Sequence, residues 1–281
     1  MRWMGGRRGG GVEDRRGIAG VAAGGGLGVA VIALIGYFFF GIDPTTTQQI
    51  ASQFGGAGSQ EQGQVGTPQD QAGLFVDVIG ANIDDVWASK INGYAPPKVV
   101  IYDQGTGTGC GYGQSAMGPF YCPNDKTVYL DLAFWQDMET QLGASGADFA
   151  RAYVIAHEFG HHVQTLTGAS QKVQQAQQAA RSQGEANQYS VALELQADCY
   201  AGVWAANAAA VSGGEVALES GDLEEGLKTA NAIGDDTLQK RSSGRVVPEG
   251  FTHGSSAQRV EWLKRGYQSG DPEQCDTLAG L

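Results

Sequence analysis

The sequence predicts an α+β fold that is mainly helical, with a small sheet, preceded by one transmembrane helix. Three observations lead there. Residues 17–42 form a run without a single charge. Short β-branched and aromatic runs cluster between residues 99 and 132. From residue 133 onward, apolar residues recur at helical spacing over long segments.

The elements follow in chain order. Residues 1–16 carry Arg2, Arg7, Arg8, Arg15 and Arg16 against Glu13 and Asp14, a net of +3. The whole chain has a net charge of −12, which leaves −15 for the remainder. A basic head on an acidic body suggests that the two parts live in different places. The run GIAGVAAGGGLGVAVIALIGYFFFGI, 17–42, is long enough to cross a hydrocarbon core of ~30 Å as a helix. A cleaved signal peptide is the rival reading, but its apolar region is usually only ~7–15 residues and ends in small residues. This run ends in Tyr37, Phe38, Phe39 and Phe40, which suit an interface anchor. Positive charge stays inside. The expectation is therefore a single-pass protein of the cytoplasmic membrane, with its N-terminus inside and its body on the periplasmic or extracellular side. Gly20, Gly24 and Gly28 repeat at a spacing that lets membrane helices dimerise, although glycine is common in a chain that has 44.

Residues 43–73 are rich in Gln, Gly, Ser and Thr, without apolar periodicity, and read as a flexible tether. The body is then 74–281, enough for one domain with a real core. Residues 74–91 have helical spacing, VVIYD at 99–103 is a strand, and GTGTGCGYG at 105–113 is a glycine-rich loop. That loop lacks the lysine and the spacing of a phosphate loop. FYC, 120–122, and TVYLDL, 127–132, flank a Pro123-Asn124-Asp125 turn as a hairpin. Helices are expected over 147–166, ending before a Gly168 cap, then over 169–182, 187–210, 221–233 and 255–268.

Charge excludes one class of function. A nucleic-acid binder needs a basic surface, and the body is strongly acidic. The chemistry instead gathers in VIAHEFGHHVQTLTG, which holds three of the chain's 4 histidines. His157 and His161 are one helical turn apart on one face, so their imidazoles can share one metal ion. Glu158 sits about 100° round the helix, where it can take a proton from a water activated by that ion. A second pair, Glu194 and Asp198 in ELQAD, is again one turn apart. Two histidines and a glutamate are a known zinc set, so Glu194 is the expected third ligand. Asp198 is expected to accept the second ring N–H of a ligating histidine. The plain alternative for either acid is a helix cap or an ion pair. Two imidazoles and a carboxylate suit one Zn²⁺ ion well.

His162 points away from His161 and is expected near the site or partly exposed. His253 and Arg259 lie in a loop followed by a helix. Either can stabilise the negative charge that develops on a carbonyl oxygen, with Tyr189 and Tyr200 as rivals. The alternatives are an ordinary loop histidine and an arginine that pairs with Asp198 or Glu194. Four cysteines in an outward-facing body fit two disulfides. Cys110 pairs with Cys122 across a short loop, and Cys199 holds the tail through Cys275. Four free thiols are the rival.

The segments MRW, VEDRRG, CGYG, GPFYCPNDKTVYLD, HEFGHHVQ, ELQADCYAGVWA and FTHGSSAQRVEWLKRGY resemble the bacterial neutral zinc metallopeptidase family. They span nearly the whole chain apart from the tether. The resemblance implies a membrane-anchored protein with one zincin-like catalytic domain, metal on His157, His161 and Glu194, and Glu158 as base. The H-E-x-x-H with a downstream E-x-x-x-D also resembles the wider gluzincin group. Among its membrane members a threonine-histidine segment and an arginine six positions on line the site, and Thr252, His253 and Arg259 are similar. Glycine stands here where proline commonly follows that histidine. The expected function is peptide-bond hydrolysis on a peptide or protein substrate lying beside TVYLDL as an edge strand. A silent zinc-stabilised scaffold and a cell-wall amidase are the other readings.

Overall fold

The computed structural model describes residues 1–17, 63–114 and 117–279. Its main sheet has five strands: β1 (Val12–Asp14), β2 (Gln64–Gly66), β3 (Lys98–Tyr102), β6 (Phe120–Cys122) and β7 (Thr127–Asp131), in the order β2-β1-β3-β7-β6. β3 runs parallel to both β1 and β7, with Val99 opposite Val12 and Val128. β2 and β6 run antiparallel at the two edges. Strands β4 (Gly105–Thr108) and β5 (Gly111–Gln114) form a separate hairpin.

The central strands are apolar on both faces because both are covered. Val99, Ile101, Val128 and Leu130 point into the main core, while Val100, Tyr102, Tyr129 and Cys122 form a smaller cluster on the other face. This is the period-two alternation of a strand. Helices fill the main face: α1 (Gln71–Lys90), α3 (Asp148–Thr167) and α5 (Gln183–Val211) bring Ile79, Ile83, Trp87, Phe149, Phe159 and Trp204 to the core. The remaining helices are α2 (Phe134–Thr140), α4 (Ala169–Ala179), α6 (Asp222–Ala232), α7 (Asp235–Ser243) and α8 (Ser256–Ser269). Gly168 ends α3 at φ 80°, the left-handed cap expected of it.

Two crossings depend on missing side chains. A Cβ on Gly160 would lie 3.1 Å from the Ala197 Cα, so glycine lets α3 and α5 approach closely. A Cβ on Gly202 would overlap the Leu263 carbonyl, and one on Gly266 the Cys199 carbonyl, which seats α8 directly on α5. Both expected disulfides are formed, Cys110–Cys122 and Cys199–Cys275. The first joins the β4–β5 tip to the β6–β7 turn, where Asn124 also donates to the Gly109 carbonyl at 3.0 Å.

Several expectations need correction. Residues 1–16 are not a separate head. β1 lies between β2 and β3, Trp3 is buried, and Arg2 pairs with Ala217. Three of the five arginines read as a cytoplasmic charge pair with acids within the same fold: Arg7 with Asp85, Arg16 with Asp14 and Asp70, and Arg15 with Glu13. Head and body share one sheet, so they lie on one side of any membrane, which overturns the expected opposite-side topology. The tether boundary at 73 also shifts, since β2 and the start of α1 precede it; Asp70 caps α1 by accepting from the Gly73 N–H at 3.0 Å. The glycine-rich 105–113 is a hairpin rather than a loop. TVYLDL is an interior strand, and the edge beside it is β6. Residues 18–42, including Gly20, Gly24 and Gly28, lie outside the described residues. Among the described residues, no helix is long and apolar enough to cross a membrane.

Candidate metal centre

The site forms where α3 crosses α5. The i, i+4 spacing on α3 sets the His157 and His161 rings edge to face with centroids 4.7 Å apart, and their Nε2 atoms are 3.2 Å apart. Glu194 comes from α5. Its Oε2 lies 3.1 Å from the His157 Nε2, and its Oε1 3.5 Å from the His161 Nε2. The three candidate ligand atoms lie within 4.8 Å of one another.

The outer nitrogens show why this cluster wants a cation. The His157 Nδ1 is 2.8 Å from the Asp198 Oδ1 and donates to it. The His161 Nδ1 is 2.9 Å from the Gln164 Oε1, which can only accept. With both Nδ1 atoms donating outward, two Nε2 atoms and a carboxylate converge, and only a positive charge, whether a proton or a metal ion, holds them together. Such acceptors repel unless a positive charge sits among them. The electrostatics make the same demand. Burial alone would lower the His157 pKa, but Asp198 and Glu194 outweigh it and push it up to about 10. Burial would raise Glu194, yet the neighbouring histidines hold it well below the usual carboxylate range. A metal ion meets that demand, and this donor set fits zinc. Glu194 and His161 keep 19% and 16% side-chain exposure, so a further ligand position can be reached from solvent.

Glu158 is 7% exposed, and burial raises its pKa against the lowering pull of the two histidines. Asp198 is fully buried. Its Oδ1 accepts from His157, from the Tyr153 hydroxyl at 2.6 Å and from the Arg259 Nη2 at 2.9 Å; its Oδ2 accepts from the Arg259 Nε at 2.8 Å. Arg259 therefore pairs with Asp198, the alternative reading for it, and at 4% exposure does not face a substrate.

His253 lies at the rim, 26% exposed. Burial lowers its pKa, but the nearby Glu194 carboxylate and Asp235 raise it on balance. Its Nδ1 is 3.0 Å from the Thr252 Oγ1 and 3.4 Å from the Asp235 Oδ1. The Asp235 Oδ2 also accepts the backbone N–H groups of Thr252, His253 and Gly254. Asp235 escaped the sequence reading because nothing near it in the chain links it to residue 253. Gln164 was legible in principle, being one turn beyond His161 on the same face. His162 is buried and turned away, held between the Tyr121 hydroxyl at 3.0 Å and the Ala95 carbonyl at 2.7 Å. Tyr200 packs edge-on against Trp87, and Tyr189 is half-buried nearer the start of α5.

Fold and site together define a class: an α+β protein with a His-His-Glu group able to hold one metal ion. The chain belongs to the family described as "Putative neutral zinc metallopeptidase", whose model matches residues 1–278. It is similar to the uncharacterized protein YpfJ of Escherichia coli K12, 48% identical over 295 residues and 99% of each chain. It is also similar to the uncharacterized protein Rv2575 of Mycobacterium tuberculosis H37Rv, 48% identical over 206 residues, covering 71% of this chain and 68% of that one. No solved structure matches.

Proposed function

We propose that this protein is a zinc-dependent peptidase that hydrolyses peptide bonds with Glu158 as its base. The observation that carries the reading is the convergence of His157, His161 and Glu194 beside a buried carboxyl that is not part of the trio. A zinc ion held there would acidify a water and polarise a carbonyl. His157, His161 and Glu194 would hold it, with Asp198 keeping the Nε2 of His157 turned inward. Glu158 takes the proton from the attacking water and passes it to the leaving amine. His253, oriented by Asp235, donates toward the carbonyl oxygen as negative charge develops there. Arg259 acts at one remove by neutralising Asp198. The substrate backbone would add beside β6, the last strand of the sheet next to β7. Two disulfides favour an oxidising compartment outside the cytosol.

A silent zinc-stabilised scaffold would have no use for Glu158 and would close the remaining metal position with a protein ligand. An amidase acting on cell-wall material keeps the same centre and changes only the bond. The test is zinc content of the purified protein, together with digestion of a peptide library with and without chelator. We expect one zinc per chain and chelator-sensitive cleavage. The E158Q variant is expected to retain zinc and lose cleavage; cutting at the parental rate would remove Glu158 from the role.

A further inference from the structure

The Nδ1 of His157 meets a carboxylate, whereas that of His161 meets a neutral amide, and the polarity of that amide is dictated from outside the site. A backbone carbonyl can only accept. The Leu193 carbonyl is 2.6 Å from one end of the Gln164 amide, so that end is the NH2 group. The other end is the carbonyl oxygen, and it faces the His161 Nδ1 at 2.9 Å. Nδ1 must then carry a proton, so in the neutral ring it is Nε2, turned toward Glu194, that offers the lone pair. The second hydrogen of the Gln164 amide goes to the Gln196 Oε1 at 3.1 Å. Gln196 is oriented by the same logic, because its NH2 donates to the Cys275 carbonyl at 3.0 Å. That carbonyl is held in place by the Cys199–Cys275 bridge and by Thr277, whose hydroxyl donates to the Ala192 carbonyl at 2.5 Å. Gln164 is fully buried and Gln196 is 7% exposed. Buried amides are costly unless paired, and here the Gln164–Gln196 chain has one polar sense.

We propose that Gln164 is a positioning residue that, through Gln196 and the disulfide-held Cys275 carbonyl, locks His161 in the tautomer whose Nε2 faces the metal. This rests on His161 being a metal ligand. Hydrogen-bond partners of ligating histidines commonly alter metal affinity by about ten- to a hundredfold.

The experiment measures zinc affinity by chelator competition for the wild-type protein, Q164L and Q164E. Leucine fills a similar volume but offers no acceptor. A buried, neutral glutamic acid keeps one donor toward Leu193 and one acceptor toward His161. Positioning predicts a loss of about ten- to a hundredfold for Q164L and recovery of most of it in Q164E. A packing role predicts the reverse order, because leucine is tolerated and a buried acid is not. Wild-type affinity in Q164L, or Q164E weaker than Q164L, would overturn the proposal. A measurement on the zinc-loaded wild type needs no variant to fold: histidine ¹⁵N–¹H spectra should show a protected Nδ1–H on His161 with zinc on Nε2. Zinc on Nδ1 would overturn it. Wild-type protein that takes up no zinc would instead overturn the metal centre, and this inference with it, a result distinct from unchanged affinity in Q164L.

Discussion

Asp198 serves three donors at once, and that load makes it the most sensitive residue behind the centre. It fixes His157, accepts from Tyr153 and carries the charge opposite Arg259. Replacing it by asparagine preserves shape but leaves a buried guanidinium without its counter-charge. Breaking a buried pair in this way typically costs about 3–5 kcal/mol. D198N is expected to lose that order of stability in urea denaturation and to bind zinc more weakly; a denaturation midpoint equal to the parent's would remove Asp198 from this role. His253 is expected to behave differently. H253A removes a group at the rim, so zinc binding should persist while kcat falls by about a hundredfold or more. A change confined to KM would place His253 in ordinary substrate binding. At this scale the sequence is a good guide where partners share a helical turn, as His157, Glu158 and His161 do. It is silent on Asp235, because a loop histidine and a helix-start aspartate become neighbours only through the fold.

The helices carry the site by crossing closely, and the crossings were not legible as such. Glycines at 160, 202 and 266 look unremarkable in a glycine-rich chain, yet each faces backbone or side-chain atoms of a neighbouring helix. G266A must push α8 away from the stretch of α5 that follows Asp198. Overpacking of this kind costs about 1–3 kcal/mol or more, read as a lowered Tm, and should weaken zinc binding with it. A second effect is expected where α1 meets the loop that follows it. The Tyr94 hydroxyl donates to the Asp84 Oδ1 at 2.8 Å, and burial raises the Asp84 pKa to about 7, against the lowering pull of Tyr94 and Arg7. Between pH 4 and 7 the folded chain then keeps a proton that the unfolded chain releases, so rising pH favours unfolding. D84N cannot titrate. Its Tm should gain on the wild type as pH rises from 4 to 8, and parallel curves would show that Asp84 ionises normally. The long helices were readable from apolar periodicity. Strands β1 and β2 and helices α2 and α7 were not, because three to nine residues are too few to show a period.

For the whole molecule, the decisive feature is the strand at the very beginning of the numbering. β1 pairs with β3 on one side and β2 on the other, and Asp14 faces Gln64 across the latter pair. Residues 1–16 and the metal centre therefore belong to one folded body and must share a compartment. Cysteine labelling of an S89C and an R8C variant with an impermeant reagent in intact cells should give the same result for both. Labelling of only one would contradict the pairing. Removing residues 1–16 should leave β3 as a bare edge and lower solubility and Tm together; a variant melting like the parent would show that β1 is dispensable.

The sequence by itself picked out the three residues that the fold brings together as a candidate metal group, both cysteine pairings and the long helices. These are written in i, i+4 spacing along each of two helices, in a short loop, in an even cysteine count and in apolar periodicity. Only the tertiary structure decided that the basic head belongs to the sheet, that β6 rather than β7 is the edge, that Arg259 answers Asp198, and which way the amide of Gln164 points. Those outcomes depend on which distant segments meet. Charge and periodicity describe a segment's preferences, whereas pairing and burial select among them.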